Sequence, residues 1–137
     1  MREWILPALG SIIFWGSWRV IPKFTTRYID PKSAVVFEIV GGVLFGLALL
    51  YTMGFRPEMD ARGVSLGLLG GIIGFIGGFC YILAISKGPA SVVVGFTALN
   101  PVVTILLTFI ILNEPVTLRQ GAGLLLAPIV MYLLASP

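Results

Sequence analysis

The chain alternates between long apolar stretches and short polar links. Five stretches hold about 20 mostly apolar residues each, which is the length a helix rising about 1.5 Å per residue needs to cross a bilayer. The pattern predicts one transmembrane helix per stretch, over residues 4–22, 31–54, 64–86, 91–112 and 118–135. Backbone groups in lipid must be satisfied within each segment, so the predicted fold is an all-α integral membrane bundle in one domain, 1–137.

The links carry the residues that begin and end helices. Asp30 followed by Pro31 is typical of a helix N-cap with proline at the first helical position. The segment 87–90 contains Gly88 and Pro89, which favour a tight turn after the third helix. Thr117 and Gln120 have the spacing of a capping box for the last helix.

Composition narrows the class of protein further. Hydrophobic residues make up 58% of the 137 residues and charged residues 11%, against about 25% charged in soluble domains. With no histidine and a single Cys80, the chain offers no Ser-His-Asp triad, no Cys-His pair and no His/Cys zinc site. We therefore expect no enzyme, no cofactor and no metal. The basic residues stand singly at segment ends, which indicates interfacial anchors and not a nucleic-acid patch.

Positive charge is distributed almost evenly between the two sides of the predicted bundle. One side holds four basic residues, Arg2, Arg56, Arg62 and Arg119, and the other holds five, Arg19, Lys23, Arg27, Lys32 and Lys87. Lys/Arg bias sets orientation in membranes, so this count predicts weak or dual topology. Two copies inserted in opposite senses would form an inverted-repeat pair with a site between them, so an antiparallel homodimer is the expected assembly.

Glu38 is the most informative single position. It lies eight residues past Asp30, roughly 12 Å along its predicted helix, at a depth where a charge is costly and carboxylates mark ion or substrate pathways. Two interpretations remain open. An unpaired carboxyl would favour its protonated form and suit proton coupling, whereas Arg19 or Lys23 at the end of the previous helix could make it a structural ion pair.

Other residues in the predicted spans are candidates for a site or for packing. Asn100-Pro101 lies midway along the fourth window, where proline can kink the helix and leave a carbonyl for a neighbour or a substrate. Trp15, Trp18 and Tyr81 could stack on a substrate or pack at the interface.

The third window contains a stripe of small residues. Several of its glycines are three or four residues apart, so they lie on one face of the helix and predict close approach of another helix. The positions chosen for packing are Gly67, Gly71, Gly74 and Gly78.

Four blocks of sequence together resemble a known family. They are Trp15-Gly16-Ser17, the segment Tyr81 to Val93 with Ala84, Ile85, Gly88, Ala90 and Ser91, the segment Asn100-Pro101-Val102 with Thr104, and the segment Leu112 to Gly123 with Glu114 and Gln120. The chain resembles the EamA-type domain of the drug/metabolite transporter superfamily over nearly its whole length. Most members carry two such domains related by inverted topology, whereas this chain resembles one domain alone.

The resemblance implies a transporter of small metabolites in the inner cell membrane. It implies a central cavity lined by the first four helices, which would include Trp15, Trp18, Glu38, Tyr81 and Asn100. Arg19 joins these candidates because of its position in the sequence, as a possible partner of the carboxylate. One departure is the start of the second helix, where Ser33-Ala34 stands in place of a common Ala-Arg pair. The expected function is alternating-access transport, with proton coupling as an option; the alternatives are a multidrug-type cation/proton exchanger and a non-transporting membrane subunit.

Overall fold

The structure, a computed structural model, is helical throughout most of the residues it describes, which are 3–113, 115 and 117–135. These residues form seven helices and no strand. The helices are α1 (Ile5–Trp18), α2 (Ile21–Thr25), α3 (Pro31–Thr52), α4 (Ala61–Lys87), α5 (Ala90–Thr97), α6 (Asn100–Leu112) and α7 (Leu118–Ala135). Glu114 and the side chains of Arg119 and Gln120, and with them the predicted capping box, lie outside the described part of the chain.

The first predicted span is divided into two helices by a break at Arg19 and Val20. Pro22 has no N–H, so the carbonyl of Trp18, four residues earlier, loses its helical donor. The Lys23 N–H donates to the carbonyl of Val20 at 3.2 Å, a tighter pattern than the α-helix requires. The break is therefore a consequence of Pro22, and it leaves the carbonyl of Arg19 without a backbone donor.

The fourth predicted span is divided in the same way. A turn at Ala98 and Leu99 separates α5 from α6, and α6 begins at Asn100 with Pro101 in its first turn. Val102 donates its N–H to the carbonyl of Leu99 at 2.9 Å, which closes the turn. Proline suits a first helical position because its N–H would lack a partner there in any case. The expected kink at Asn100-Pro101 is thus an interruption of the helix.

Four helical stretches are long and apolar enough to cross a membrane within the described residues: Ile5–Thr25, Pro31–Thr52, Ala61–Lys87 and Ala90–Leu112. The first combines α1 with α2, and the fourth combines α5 with α6. Their large apolar side chains stay exposed, as at Leu6, which is 80% exposed. This is what residues facing lipid require, and the predicted all-α membrane class is confirmed. The fifth predicted span falls on α7, which contains Pro128.

The chain divides into two units, Met1–Lys87 and Gly88–Pro137. In the first unit, α4 contacts both α2 and α3. The buried side chains gather where these three helices meet, and they are Pro22, Ala34, Tyr81, Ile82 and Ile85. In the second unit, α7 contacts α5 and α6.

The start of α3 is capped as the sequence predicts. One oxygen of the Asp30 carboxylate accepts the N–H groups of Lys32 at 2.9 Å and Ser33 at 3.2 Å, and the other accepts the Ser33 hydroxyl. These bonds satisfy amide groups that have no partner inside the helix. The hydrogen bonds from Ser33 and Lys32 favour the carboxylate and hold the pKa of Asp30 below its usual value.

We expect Asp30→Ala to lower the thermal stability of the purified protein in detergent at neutral pH. Because the pKa of Asp30 is lower in the folded state, its contribution is present above the unfolded-state value of about 3.9 and is lost as the pH falls through the folded value. The difference in melting temperature between wild type and variant should therefore narrow on acidification. Glu58→Ala, at an exposed carboxylate, is the control; an equal narrowing there would contradict the assignment to Asp30.

Candidate functional site

A group of polar and aromatic side chains joins three helices of the first unit around Glu38. The Trp18 indole Nε1 donates to Glu38 Oε1 at 2.8 Å, and the Trp18 and Tyr81 rings stack with centroids 5.5 Å apart. The Tyr81 hydroxyl donates to the backbone carbonyl of Arg19 at 2.8 Å. We call Trp18, Glu38, Tyr81 and this carbonyl the Glu38 cluster.

Each member is placed by its position on a helix. Trp18 is the last residue of α1, beside the break, and Glu38 lies eight residues past the Asp30 cap on α3. Tyr81 is on α4 and is only 7% exposed. Trp18 and Glu38 are half-buried. The sequence predicts Trp18, Arg19, Glu38 and Tyr81 as site candidates. The structure brings together the side chains of Trp18, Glu38 and Tyr81 and the backbone carbonyl of Arg19.

The carboxylate of Glu38 is held by a neutral donor. Among the residues the structure describes, the polar partner of this side chain is the Trp18 indole, and no ion pair to it is present. Arg19 contributes its backbone carbonyl to the cluster, and the Lys23 ammonium donates to the carbonyl of Ile85 at 2.9 Å. Of the two interpretations left open by the sequence, this geometry favours a carboxyl without a cationic partner.

Glu38 also lines a cavity of about 210 Å³. Most of its wall is apolar, with Thr25 and Glu38 as the polar side chains. The other lining residues are Ile21, Pro22, Ala34, Phe37 and Ile82. Such a mostly apolar cavity with one or two polar groups is typical of small-ligand sites, although it is smaller than sites for drug-sized molecules, which run to roughly 300 Å³ and above.

Two predicted site residues lie outside the Glu38 cluster. Trp15 is one turn earlier on α1 and is 71% exposed, and no ring contact joins it to the cluster. Asn100 is the first residue of α6, in the second unit, where it is exposed and its carbonyl accepts the hydroxyl of Thr104 at 3.1 Å. Their roles in a site stay predictions.

The glycine stripe of α4 is open. A Cβ atom built on Gly67, Gly71, Gly74 or Gly78 would meet no atom within 4 Å. Gly67 and Gly71 line an apolar groove of about 610 Å³ between α3 and α4. The close approach of another helix to this stripe stays a prediction.

Sequence reasoning missed the part that prolines have in this site. The sequence pattern predicts Lys23 as an interfacial basic residue and as a possible partner of Glu38, and it assigns no role to Pro22. The signal was present in the spacing, because Pro22 follows Trp18 by four residues and Pro89 follows Ile85 by four. A proline four residues after a carbonyl removes the donor that an α-helix would supply to it. No group of three potential metal ligands occurs among the described residues.

Long apolar helices define a multi-pass membrane protein, and Glu38 lies within one of its candidate spans. Residues 2–136 match the EamA-like transporter family, and the chain belongs to this family. The resemblance seen in the sequence is thereby confirmed. The family and the names of the relatives point to a transporter and away from an enzyme.

The relatives cover the chain well but differ in length. An uncharacterized transporter of Bacillus subtilis (strain 168) is 30% identical over 125 residues, 89% of this chain and 41% of the relative. An uncharacterized transporter of Archaeoglobus fulgidus is 24% identical over 138 residues, 100% of this chain and 49% of the relative. The chain thus spans about half the length or less of these two curated relatives. An uncharacterized protein of Methanocaldococcus jannaschii is 30% identical over 131 residues, 96% of this chain and 95% of the relative. No solved structure matches the chain.

We expect Trp18→Phe to destabilise the protein by about 1–3 kcal/mol, because it keeps a ring beside Tyr81 but removes the hydrogen bond to the carboxylate. The measurement is unfolding in detergent followed by helical circular dichroism. Trp15→Phe is the matched control, since Trp15 is 71% exposed and makes no such bond. Equal losses in the two variants would show that the bond to Glu38 contributes nothing.

Proposed function

We propose that this chain is a small-metabolite transporter of the cell membrane that works by alternating access, with Glu38 as its substrate-binding or coupling carboxylate. The observation that carries the proposal is the environment of Glu38. Its carboxylate lies within a candidate span, lines a cavity, and is held by the neutral Trp18 indole. An acidic group kept there without a cationic partner is costly, and such groups typically belong to ion or substrate pathways.

The proposed assembly is an antiparallel homodimer. Support comes from the near-even distribution of basic residues, which gives little bias toward one orientation. Further support comes from the length of two relatives, of which the chain covers 41% and 49%. A transporter built from inverted repeats needs two such units around a central site, and two oppositely oriented copies would supply them.

Proton coupling is proposed for the same carboxylate. Protonation of Glu38 would remove a charge from the span. A substrate that binds after the proton leaves would interact favourably with the ionised carboxylate, so proton and substrate would alternate at this group. The Trp18 indole can donate to the ionised carboxylate and to the carbonyl oxygen of the protonated form, so the contact does not by itself block the exchange.

A second candidate is a multidrug-type cation/proton exchanger. The specific observation in its favour is that the Glu38 carboxylate meets an apolar cavity wall and the aromatic Trp18–Tyr81 pair. A carboxylate beside aromatic rings suits an apolar cation, because the rings attract positive charge through their faces.

A non-transporting membrane subunit is the candidate from a different class. The open glycine stripe favours it, since a Cβ built on Gly74 or Gly78 would meet no atom of another helix within 4 Å. A small-residue face of this kind allows another helix to approach closely.

We expect Glu38→Gln to abolish substrate-driven flux while leaving the protein folded. The substrate is sought first with wild-type protein in proteoliposomes against labelled amino acids, sugars, nucleosides and the apolar cation tetraphenylphosphonium, with and without an imposed pH gradient. Glutamine keeps the size and the acceptor oxygen of the side chain but removes its charge, so loss of flux is attributed to the carboxylate.

Glu58→Gln is the control, because that exposed residue lies between α3 and α4 and outside the candidate spans. Flux of tetraphenylphosphonium alone would favour the exchanger. Full flux in the Glu38 variant would overturn the proposed role of Glu38. Absence of flux from wild type, together with loss of association when Gly74 becomes Leu, would favour the subunit.

We expect reporters of membrane side, fused in separate chains to the C-terminus and within residues 56–62, to give comparable signals from both sides of the membrane. This outcome follows from the near-even count of basic residues. Replacing Arg56 and Arg62 by Gln should shift the signal toward one side, which serves as the positive control. A one-sided signal from the unaltered chain would contradict the antiparallel homodimer.

A further inference from the structure

In the described part of the first unit, two backbone carbonyls that lack a helical donor each accept a hydrogen bond from a side chain of another helix. The first is the carbonyl of Arg19, at the break between α1 and α2. Its donor in a continuous helix would be the N–H of Lys23, but that N–H donates to Val20 at 3.2 Å. The hydroxyl of Tyr81, on α4, donates to the Arg19 carbonyl at 2.8 Å in its place.

The second is the carbonyl of Ile85, in the last turn of α4. Its donor would come from residue 89, which is proline and has no N–H. Ile85 is 0% exposed, so water does not replace the missing donor. The ammonium of Lys23, on α2, donates to this carbonyl at 2.9 Å. A basic side chain in this place is a common cap for the end of a helix.

The two bonds run in opposite directions between the same elements. Tyr81 donates from α4 to Arg19 in the break, and Lys23 donates from α2, after the break, to the last turn of α4. Any movement of the break relative to α4 would therefore leave two carbonyls unpaired. An unpaired carbonyl away from water is unfavourable, and it is most unfavourable within a membrane.

We propose that Tyr81 and Lys23 are positioning residues that hold Trp18 in place on Glu38. Trp18 is bonded covalently to Arg19, so fixing the Arg19 carbonyl fixes the backbone from which the indole reaches Glu38. The ring of Tyr81 adds a second restraint by stacking on the indole. The importance of this arrangement for transport rests on the function proposed above, whereas the positioning itself is measured without transport.

The test uses the full chain, purified and reconstituted in lipid nanodiscs, with Trp4 and Trp15 replaced by Phe so that Trp18 is the remaining tryptophan. Two readouts report on its contact with Glu38. One is the emission wavelength of Trp18. The other is the rate at which a hydrophobic carbodiimide modifies Glu38, followed by intact mass, with Glu38→Gln giving the background from other carboxyl groups.

Tyr81→Phe removes the hydroxyl and keeps the ring, and Lys23→Met removes the ammonium and keeps most of the apolar stem. Each should shift Trp18 emission to longer wavelength and raise the labelling rate of Glu38 about fivefold, the factor expected when one hydrogen bond no longer restrains the contact. The matched controls are Tyr28→Phe, at a residue 87% exposed, and Lys32→Met, at an exposed residue; both should match the parent protein.

A rescue variant separates the loss of this bond from general damage. Pro89→Ala supplies an N–H four residues after Ile85 and allows α4, which ends at Lys87, to continue through residue 89, so it should restore the parent emission and labelling rate in Lys23→Met. It should not restore them in Tyr81→Phe, because that variant lacks a different bond. Lys23→Arg keeps a donor and should match the parent, and it carries the test if Lys23→Met is not recovered in folded form.

The proposal is wrong if Tyr81→Phe matches Tyr28→Phe in both readouts. It is equally wrong if Lys23→Arg, which keeps a donor, shows the longer emission wavelength and faster labelling that are expected of Lys23→Met. It is also wrong if Pro89→Ala restores Tyr81→Phe as well as Lys23→Met. Loss of flux in Tyr81→Phe with unchanged readouts would overturn the positioning role while leaving the transport function intact. If emission and labelling change as expected but no substrate is found for wild type, the positioning role is supported and the proposed transport function is contradicted.

Discussion

The constraint on which this structure depends is that a backbone carbonyl inside a membrane must find a donor within the protein. The break that Pro22 causes leaves the carbonyl of Arg19 without its helical donor, and Pro89 has no N–H to donate to the carbonyl of Ile85. The protein meets the need with the hydroxyl of Tyr81 and the ammonium of Lys23, which cross between α4 and the first span. The bond from Tyr81 lies next to Trp18 and Glu38. The contacts that satisfy the backbone carbonyls are therefore part of the same arrangement as the Glu38 cluster. Pro22 and Pro89 thus leave carbonyls that the polar side chains of Tyr81 and Lys23 satisfy.

The small size of the buried core follows from the lipid that surrounds a membrane protein. In the first unit the buried side chains gather where α2, α3 and α4 meet, and large apolar residues elsewhere remain exposed, such as Phe14 at 75%. Lipid solvates these side chains, so they do not need to be buried against one another. Shape and polar contacts then decide how the helices associate, and the bonds of Lys23 and Tyr81 have more weight than they would have in a soluble protein.

The sequence was sufficient for the all-α membrane class and for naming the three side chains that the structure groups around Glu38, but not for the breaks within the first and fourth spans. Apolar length and composition predicted the membrane helices, and the cost of a charge in lipid identified Glu38 from its place in the chain alone. What the sequence could not supply was the partner of each polar group. Arg19 and Lys23 were near enough in the chain to pair with Glu38, but the choice depended on which carbonyls lacked donors. That choice required the break at Arg19 and the packing of α4 against α2, which are tertiary facts.

The pairing that results has a consequence for Glu38. A carboxylate in a low-dielectric span is stabilised by a cation, by protonation or by water. Within the described part of the chain its hydrogen-bond donor is an uncharged indole, and the ammonium of Lys23 bonds to the Ile85 carbonyl. An indole supplies one hydrogen bond and no charge, so this contact gives the carboxylate no counter-charge. A proton, a cationic substrate or a hydrated ion would each supply one, and exchange among them is the step that the proposed proton-coupled transport would require.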